Sequence, residues 1–457
     1  MKRRQLLGGI GAAALMAGSA RAGDRLGARR SPNFVIILCD DLGFGDIGPT
    51  GGREIPTPNL DRMAREGLTL TDYYAPANVC SPSRAGLLTG KYPVRTDVSR
   101  VLLLRDKTGL APDVATIPRA LGPRYRSALV GKWHLGHVAP YWPPTRYGFD
   151  LFHGIPYSHD IEPLTVSRFE GSRQTGEWPP DYPRLQQNFA AAAEQFISDN
   201  RDHPFFLELA LSAPHLPNYE LEGFAGRSKN AGAFGDAVME IDSIVGRVFD
   251  RLRREGLDRD TLVIFTSDNG PWFEGSTGGL RQRKGGGAYD GGYRVPFIAR
   301  WPGTIPAGRR SDALACGIDL LPTLCALAGS EAPQGIDGKD LSAVLTRGAP
   351  SPREEVLLFQ DEAVVGIRTQ KWKYVAGDFY MGMFLPFEGR GFPQLYDMTR
   401  LGEQYSLAAR FPDVTRALKT RFDEATAEFA PFRKADTVKT GRMGPPRGES
   451  IPRIWRD

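Results

Sequence analysis

Four apolar, strand-like segments of this chain are each followed by side chains that could do chemistry. In chain order these polar groups are Asp40-Asp41 after 34–39, Lys132 and His134 after 127–131, His215 after 205–211, and Asp268-Asn269 after 262–266. Ligands bind beyond the carboxyl ends of the strands in open α/β sheets. We therefore expect these groups, which are far apart in the sequence, to converge on one site.

Three carboxylates and one amide in this set indicate a metal site. Asp40, Asp41, Asp268 and Asn269 would place their oxygens at one edge of the sheet. Each pair alone is typical of a turn or a helix cap, but together they form the all-oxygen ligand set that calcium prefers, with magnesium as the alternative. The chain has no HExxH run and no CxxC pair, which argues against zinc.

The segment 80–90, CSPSRAGLLTG, places a thiol at the start of a predicted helix. Pro82 and Ser83 favour helix initiation, so we expect Cys80 to lie just before the helix N-terminus. The helix dipole and the free N–H groups favour an anion there, and Arg84 lies one turn further on. The residues alone allow two interpretations, a nucleophile in an anion-binding site or a buried cysteine before an ordinary capped helix.

Two further segments carry basic groups. Lys132 and His134 flank Trp133 and would share a face if the strand continues through them. Such a pair could bind an anion and transfer a proton, although each residue alone is usually a solvated or structural group. Lys284 lies in the glycine-rich stretch 278–292, which has no Walker spacing but whose glycines allow close approach to a ligand.

The segment 80–90 matches C-x-P-S-R-x-x-x-L-T-G without departure, and the chain thereby resembles the type I sulfatases of the alkaline phosphatase superfamily. In that family the cysteine is converted to formylglycine, an aldehyde. The resemblance covers most of the chain through further matching runs, which are DDLG from 40, GKWHLG from 131, GIPYSHD from 154, APH ending at 215, SDNGP from 267 and YDGGYRVP from 289. The GIPYSHD run is similar to the arylsulfatase A branch.

The resemblance implies a role for each of these groups. One calcium ion would be bound by Asp40, Asp41, Asp268, Asn269 and the modified Cys80, and the sulfate would be surrounded by Lys132, His134, Ser158, His215 and Lys284. The stretch from Lys284 to Asp290 is one residue longer than the family pattern, which leaves Arg283 as an alternative to Lys284.

The family chemistry implies hydrolysis of aryl or carbohydrate sulfate esters by the hydrated aldehyde at position 80. One hydroxyl would attack sulfur with the help of Arg84 and the cation, while Lys132 and Lys284 offset charge on the other sulfate oxygens. We expect His215 to protonate the leaving alcohol and His134 to accept the proton of the second hydroxyl, although the sequence leaves these two roles exchangeable. The alternatives are a phosphonate monoester or phosphodiester hydrolase on the same fold and a non-catalytic glycan-binding relative.

The elements that must position these residues follow an alternating pattern. Strand-like and helix-like segments alternate from about residue 33 to residue 330, which predicts an α/β domain with a large, mostly parallel sheet between helices. A further strand is predicted over 296–300, and helices over 57–66, 187–200, 231–255 and 320–328. Residues 155–185 are predicted as a long irregular loop.

The pattern of predicted strands and helices changes near residue 350. Strands predicted over 363–376 and 394–398, followed by a helix over 412–429, indicate a smaller C-terminal α+β domain. We predict a catalytic domain over 31–350, this second domain over 351–433 and a polar tail over 434–457.

The first 22 residues resemble an export signal. A basic start, a short apolar stretch over 6–17 and Ala20-Arg21-Ala22 fit a cleaved signal peptide, and Arg3-Arg4 before Gln5-Leu6-Leu7 resembles the twin-arginine type. We therefore expect an exported protein, periplasmic or secreted. Its expected partners are a formylglycine-generating enzyme, the export machinery, and a sulfated small molecule or glycan.

Composition restricts the remaining possibilities. The chain has 58 Lys and Arg against 53 Asp and Glu, but four of the basic residues lie in the first 22 positions, which hold no acidic residue. The rest is nearly neutral, so we expect no nucleic-acid partner, and no apolar run is long enough for a stable membrane span. Four cysteines are too few for a disulfide scaffold; Cys316 and Cys325 are either two core thiols or a pair.

Overall fold

A ten-stranded mixed sheet forms the centre of the fold in the computed structural model, which describes residues 31–219, 221–380 and 383–434. The predicted signal segment and nearly all of the predicted tail lie outside these residues. The strands of the first part of the chain are β1 (Asn33–Asp40), β2 (Leu68–Leu70), β3 (Tyr73–Tyr74), β4 (Arg126–Lys132), β5 (Leu151–Ile155), β6 (Val166–Glu170), β7 (Arg173–Trp178), β8 (Phe205–Pro214), β9 (Thr261–Ser267), β10 (Phe297–Arg300), β11 (Arg309–Ser311) and β12 (Ala315–Cys316). The helices are α1 (Pro58–Glu66), α2 (Cys80–Thr89), α3 (Ile117–Leu121), α4 (Leu185–Asp199), α5 (Gly232–Arg254), α6 (Asp290–Tyr293), α7 (Leu320–Ala328), α8 (Ser342–Arg347) and α9 (Pro412–Phe429).

The order of strands in the large sheet is β11-β2-β10-β9-β1-β8-β4-β5-β6-β7. The five central strands, β9 to β5 in this order, are parallel to one another. Strand β10 runs antiparallel to β9, and β5, β6 and β7 are joined by antiparallel pairings. The predicted parallel sheet is therefore confirmed at its centre, and the whole sheet is mixed.

Both faces of the central strands are buried under helices, which explains their continuous apolar runs. Val35 and Ile37 of β1 pack into a core with Phe189 of α4 and Val245 of α5. Ile36 and Leu38 point to the opposite face, into a second core that includes Leu87 of α2 and Leu321 of α7. Strand β1 is thus fixed from both sides, and so is the position of the residues that follow it.

The segment 155–185 differs from its prediction as an irregular loop. It contains the β6–β7 hairpin, with Gly171 at a φ of +55° in the turn. Most side chains of β7 are exposed. Because this strand buries no alternating apolar face, its sequence lacks the pattern by which a strand is recognised.

A smaller C-terminal domain is built on an antiparallel sheet of four strands, in the order β13-β14-β15-β18. Its strands are β13 (Glu355–Gln360), β14 (Ala363–Thr369), β15 (Trp372–Val375) and β18 (Gln394–Asp397), with a separate pair formed by β16 (Gly377–Tyr380) and β17 (Met383–Pro386). Helix α9 covers this sheet, and Phe429 packs with Phe359 and Tyr92. Among the described residues, no helix has the length and apolar character needed to cross a membrane.

Candidate active site

The polar groups predicted to converge follow strands that are neighbours in the sheet. Strands β9, β1, β8 and β4 lie side by side and parallel, so their carboxyl ends meet at one edge. This edge receives Asp40 and Asp41 from β1, Lys132 from β4, His215 just after β8, and Asp268 and Asn269 just after β9.

Asp40 is the fully buried end of β1 and is surrounded by cations. The Nζ of Lys132 donates to its Oδ2 at 2.6 Å, and Arg84 Nη2 lies 3.7 Å from its Oδ1. Burial raises the pKa of Asp40, but Lys132, together with His215 and Arg84, outweighs burial and holds the pKa well below its usual range. Asp40 is therefore an ionised carboxylate inside the protein.

Asp41 contacts side chains from three other segments of the site. Its Oδ1 accepts a hydrogen bond from Asn269 Nδ2 at 2.8 Å, and its Oδ2 accepts one from Lys284 Nζ at 2.7 Å. The Nε2 of His215 lies 3.7 Å from the same Oδ2. The backbone of Asp41 has a φ of +66°, in the left-handed region where residues other than glycine are uncommon and often functional.

Helix α2 places Arg84 beneath the carboxylates. The Nε of Arg84 donates a hydrogen bond to Asp268 Oδ2 at 2.8 Å, and the Nη2 of the same guanidinium forms an ion pair with this oxygen at 2.8 Å. Ser83, which was not among the predicted site residues, donates a hydrogen bond to the backbone oxygen of Asp268. The start of α2 is therefore tied directly to the end of β9.

Cys80 is the first residue of α2, one position further into the helix than predicted. It is 1% exposed, and its Sγ belongs to a group of potential metal-ligating atoms, with Asp40, Asp41 and His215, that lie within 4.8 Å of one another. Burial raises the pKa of the Cys80 thiol to about 12, although Lys132 and Lys284 lower it. The unmodified side chain is thus a protonated thiol at neutral pH and a poor nucleophile.

His134 and Ser158 lie on segments that run beside each other at the edge of the site. The backbone N–H of His134 donates to the Pro156 oxygen, two residues before Ser158. Strand β4 ends at Lys132, and His134 has a φ of +60°, so the predicted strand does not continue through it. The structure gives neither side chain a hydrogen bond to the carboxylate cluster. The Ser158 Oγ is buried and has no partner among the described residues.

The hydrogen bonds of the two histidines define their free atoms. His134 Nε2 lies 2.8 Å from the Leu102 oxygen, and a carbonyl only accepts, so Nε2 carries the hydrogen and the buried Nδ1 presents a lone pair. Burial, with Lys132, lowers the pKa of His134 well below its usual value, so the ring is neutral. His215 Nδ1 lies 2.5 Å from the Leu216 oxygen, which leaves Nε2 facing Asp41.

The structure distinguishes between Lys284 and Arg283. Lys284 reaches Asp41, whereas Arg283 donates to the backbone oxygen of Trp272 at 2.7 Å and lies over the Phe273 ring. Past Lys284, Gly287 is held from the side of α2. There Asn78 Nδ2 donates to the Gly287 oxygen and to Gln360 Oε1, both at 2.9 Å.

The contacts of Asn78 and Gln360 were not found from the sequence, because they join segments more than two hundred residues apart. A second unpredicted group supports the loop after Asn269. Asp46 accepts from the backbone N–H groups of Gly43 at 2.7 Å and Ser276 at 2.6 Å. A buried His159 also lies beside the site, with its ring centroid 5.7 Å from that of His215. The GIPYSHD run contained His159, but only its serine was selected.

The oxygen atoms at this edge fit a divalent cation. The Oδ1 atoms of Asp40 and Asn269 are buried without hydrogen-bond partners among the described residues. Asp268 faces Asp40, and burial raises the pKa of Asp268 to about 6 although Arg84 lowers it. A hard cation would satisfy both unpartnered oxygens and allow every carboxylate to ionise, and carboxylate and amide oxygens are its usual ligands.

A cleft of about 1080 Å³ opens from this cluster, and Asp41, His215 and Lys284 line its inner end. The buried charges are therefore accessible from one side. The arrangement combines an anion-attracting group of Lys132, Lys284 and Arg84 with two histidines and a candidate cation site. Such a site can bind an anionic ester, stabilise charge that develops in the transition state and transfer protons.

Comparisons with known proteins agree with this geometry. The sulfatase family profile matches residues 32–330, and the profile of the C-terminal part of N-sulphoglucosamine sulphohydrolase matches residues 287–383. Human arylsulfatase A is 38% identical over 447 residues, which cover 86% of this chain and 87% of the relative.

Solved structures show the same fold. The PsFucS1 sulfatase from Pseudoalteromonas sp. superposes with a TM-score of 0.81 at 29% identity, over 89% of this chain and 92% of the other. The phosphonate monoester hydrolase of Agrobacterium radiobacter shares the fold, with a TM-score of 0.64 at 21% identity over 87% and 96% of the two chains. Signature, site geometry and similarity agree: this chain belongs to the sulfatase family, is similar to arylsulfatase A among the type I sulfatases, and is a sulfuric ester hydrolase.

Proposed function

We propose that the protein hydrolyses aryl or carbohydrate sulfate esters with a formylglycine made from Cys80 as the nucleophile precursor. The observation that carries the proposal is the state of Cys80. The side chain at position 80 lies among the donor atoms of Asp40, Asp41 and His215, yet burial keeps the thiol protonated. Position 80 thus lies where a nucleophile is needed, but an unmodified cysteine there would be a poor one. This supports conversion of Cys80 into a better nucleophile.

The hydrated aldehyde would supply two hydroxyls on one carbon, one to attack sulfur and one to release the bound sulfate. Arg84, Lys132 and Lys284 bind and orient the anionic ester, because their cationic groups converge beside position 80. We assign the metal-ligand role to Asp40, Asp41, Asp268, Asn269 and the modified residue 80. Calcium, or magnesium in its place, would polarise the sulfate and favour the ionised nucleophile.

The two histidines have different roles in this proposal. His134 is the base, because its Nδ1 presents a lone pair and burial keeps the ring neutral. His215 is the acid for the leaving alcohol, because its Nδ1 is engaged by the Leu216 oxygen, its Nε2 lies at the carboxylate cluster, 3.7 Å from Asp41 Oδ2, and its ring lines the cleft. Ser158 would contribute its unpartnered hydroxyl to binding of the sulfate.

Burial of position 80 restricts when the modification can occur. Cys80 is 1% exposed in the folded chain, so a modifying enzyme must act before the site closes. We propose that the chain is modified by a formylglycine-generating enzyme and exported to the periplasm or the medium, with residues 1–22 as its signal. If the signal is of the twin-arginine type, which exports folded proteins, modification precedes export.

A sulfate ester compared with two phosphorus esters tests the proposal. Purified protein from a modifying host should hydrolyse 4-nitrophenyl sulfate with a higher kcat/KM than either bis(4-nitrophenyl) phosphate or a phenylphosphonate monoester. Cys80→Ala should lower the kcat/KM for the sulfate by at least about 10³-fold while the protein remains folded. Hydrolysis of the phosphorus esters in preference to the sulfate would favour the rival activity, and full activity of Cys80→Ala would contradict the mechanism.

A further inference from the structure

The cleft that His215 lines also has apolar lining residues. They are Leu216, Phe234 and Trp272. His215 is the proposed proton donor to the leaving alcohol, so the atoms behind the scissile oxygen would lie in this cleft, beside its apolar side chains. The chemistry of these side chains therefore indicates which alcohols the enzyme accepts.

Trp272 provides a flat surface at the mouth of this cleft. Its side chain is 42% exposed and its ring packs edge-on against Phe273, with 4.9 Å between ring centroids. Arg283 stabilises the pair from behind, through its hydrogen bond to the Trp272 oxygen and its position over the Phe273 ring. A half-exposed indole that packs against a second ring is a suitable surface for stacking of a ring.

The charged groups of the same cleft repel additional anions. Asp160 and Glu274 line the cleft, are exposed, and have neither a hydrogen bond nor an ion pair among the described residues. Lys284 is the one Lys or Arg among the described residues that line it, and its ammonium is held by Asp41. A second sulfate group would therefore find no free cation among the described residues that line the cleft. It would also be repelled by the two carboxylates.

We propose that this cleft binds the leaving group of an ester with a single sulfate, and that this leaving group is a ring-containing alcohol without a further anionic group. The inference rests on the proposed function, because it assigns the cleft to one part of the same sulfate ester. Trp272 stacks on the ring, and Asp160 and Glu274 disfavour carboxylated or multiply sulfated substrates.

Two aryl sulfates that differ by one charge test this selectivity. The sulfate esters of methyl 4-hydroxybenzoate and of 4-hydroxybenzoate have the same ring, but only the second carries a carboxylate. The wild type should favour the methyl ester in kcat/KM. Glu274→Gln and Asp160→Asn should each lower this preference by about three- to tenfold, as expected for a like charge removed several ångströms away. The difference in leaving-group reactivity cancels when the same two substrates are compared between variants.

Matched variants outside the cleft provide the controls. Glu424→Gln and Asp413→Asn change exposed carboxylates of α9 and should leave the preference unchanged. Trp272→Ala should raise KM for the methyl ester by about five- to tenfold, whereas Phe392→Ala, which removes a still more exposed aromatic ring outside the cleft, should not.

The outcomes separate the two proposals. A wild type that hydrolyses neither sulfate ester would overturn the proposed function, and this inference with it. A wild type that hydrolyses both, with a preference that Glu274→Gln and Asp160→Asn leave unchanged, would overturn the inference alone. An unchanged KM in Trp272→Ala would likewise remove the indole from the binding of the leaving group.

Discussion

Lys132 neutralises Asp40 in the interior of the protein, and its replacement by methionine should destabilise the fold in a manner that depends on calcium. The two side chains are both 0% exposed, and their charged atoms are 2.6 Å apart. Truncation of one partner of a buried ion pair leaves a charge without compensation, which costs about 3–5 kcal/mol of the free energy of unfolding. Arg84, at 3.7 Å from Asp40, replaces little of the lost contact.

Calcium should restore part of that loss, because the variant carboxylate no longer shares its charge with an ammonium group. Stabilisation by a ligand that binds only the folded state grows with its affinity. Unfolding in urea, followed with EDTA and with excess calcium, should therefore show a larger gain from calcium in Lys132→Met than in the wild type.

Lys373→Met is the matched control. Lys373 is also 0% exposed and contacts two buried carboxylates, Asp290 at 2.7 Å and Glu403 at 2.6 Å, away from the proposed cation site. Its loss should destabilise the protein by a similar amount, with no additional gain from calcium. Equal restoration of both variants by calcium, or a loss of less than about 1 kcal/mol in Lys132→Met, would show that Lys132 does not compensate the charge of Asp40 in this way.

Two further predictions concern histidines. His215→Asn should lower kcat/KM most for aryl sulfates with poor leaving groups, because they need protonation most; an equal loss across a series of phenols would argue against its role as the acid. His153 packs between Trp178 and Phe189, and burial lowers its pKa to about 4. Below about pH 6.5 the imidazole of His153 binds a proton in the unfolded chain but not in the folded chain, so the protein becomes less stable as the pH is lowered. Between pH 7.5 and pH 5 the wild type should therefore lose about 1–2 kcal/mol more of its free energy of unfolding than His153→Phe does. Parallel pH profiles of unfolding for the two proteins would show that His153 titrates normally.

The strands that build the site could be predicted from the sequence because each is buried on both faces and is therefore apolar along its whole length. The run before Asp40 is apolar without interruption. When such short apolar runs alternate with helices, they are interpreted as strands of a parallel sheet covered on both faces. Helices α7 and α9 have the bounds predicted for them, Leu320–Ala328 and Pro412–Phe429. In α9, Pro412 near the first turn makes the start of the helix evident.

Features that depend on contacts between distant segments could not be predicted from the sequence in the same way. The β6–β7 hairpin has exposed side chains and no apolar alternation, so nothing local distinguishes it from a loop. The conformation of His134 is set by its hydrogen bonds to Leu102 and Pro156. The choice between Lys284 and Arg283 likewise depends on which side chain the fold directs to Asp41. The alternatives for Cys316 and Cys325 are settled by the fold, in which both are buried free thiols.

The chemistry proposed here depends on what occupies position 80. Tryptic digestion of protein from a modifying host should release the peptide over residues 66–84, whose mass can be measured directly. We predict the mass of a peptide in which the CH2SH group of Cys80 has become CHO, in active enzyme and in proportion to its activity. An active enzyme whose peptide carries only the unmodified thiol would contradict a formylglycine at position 80.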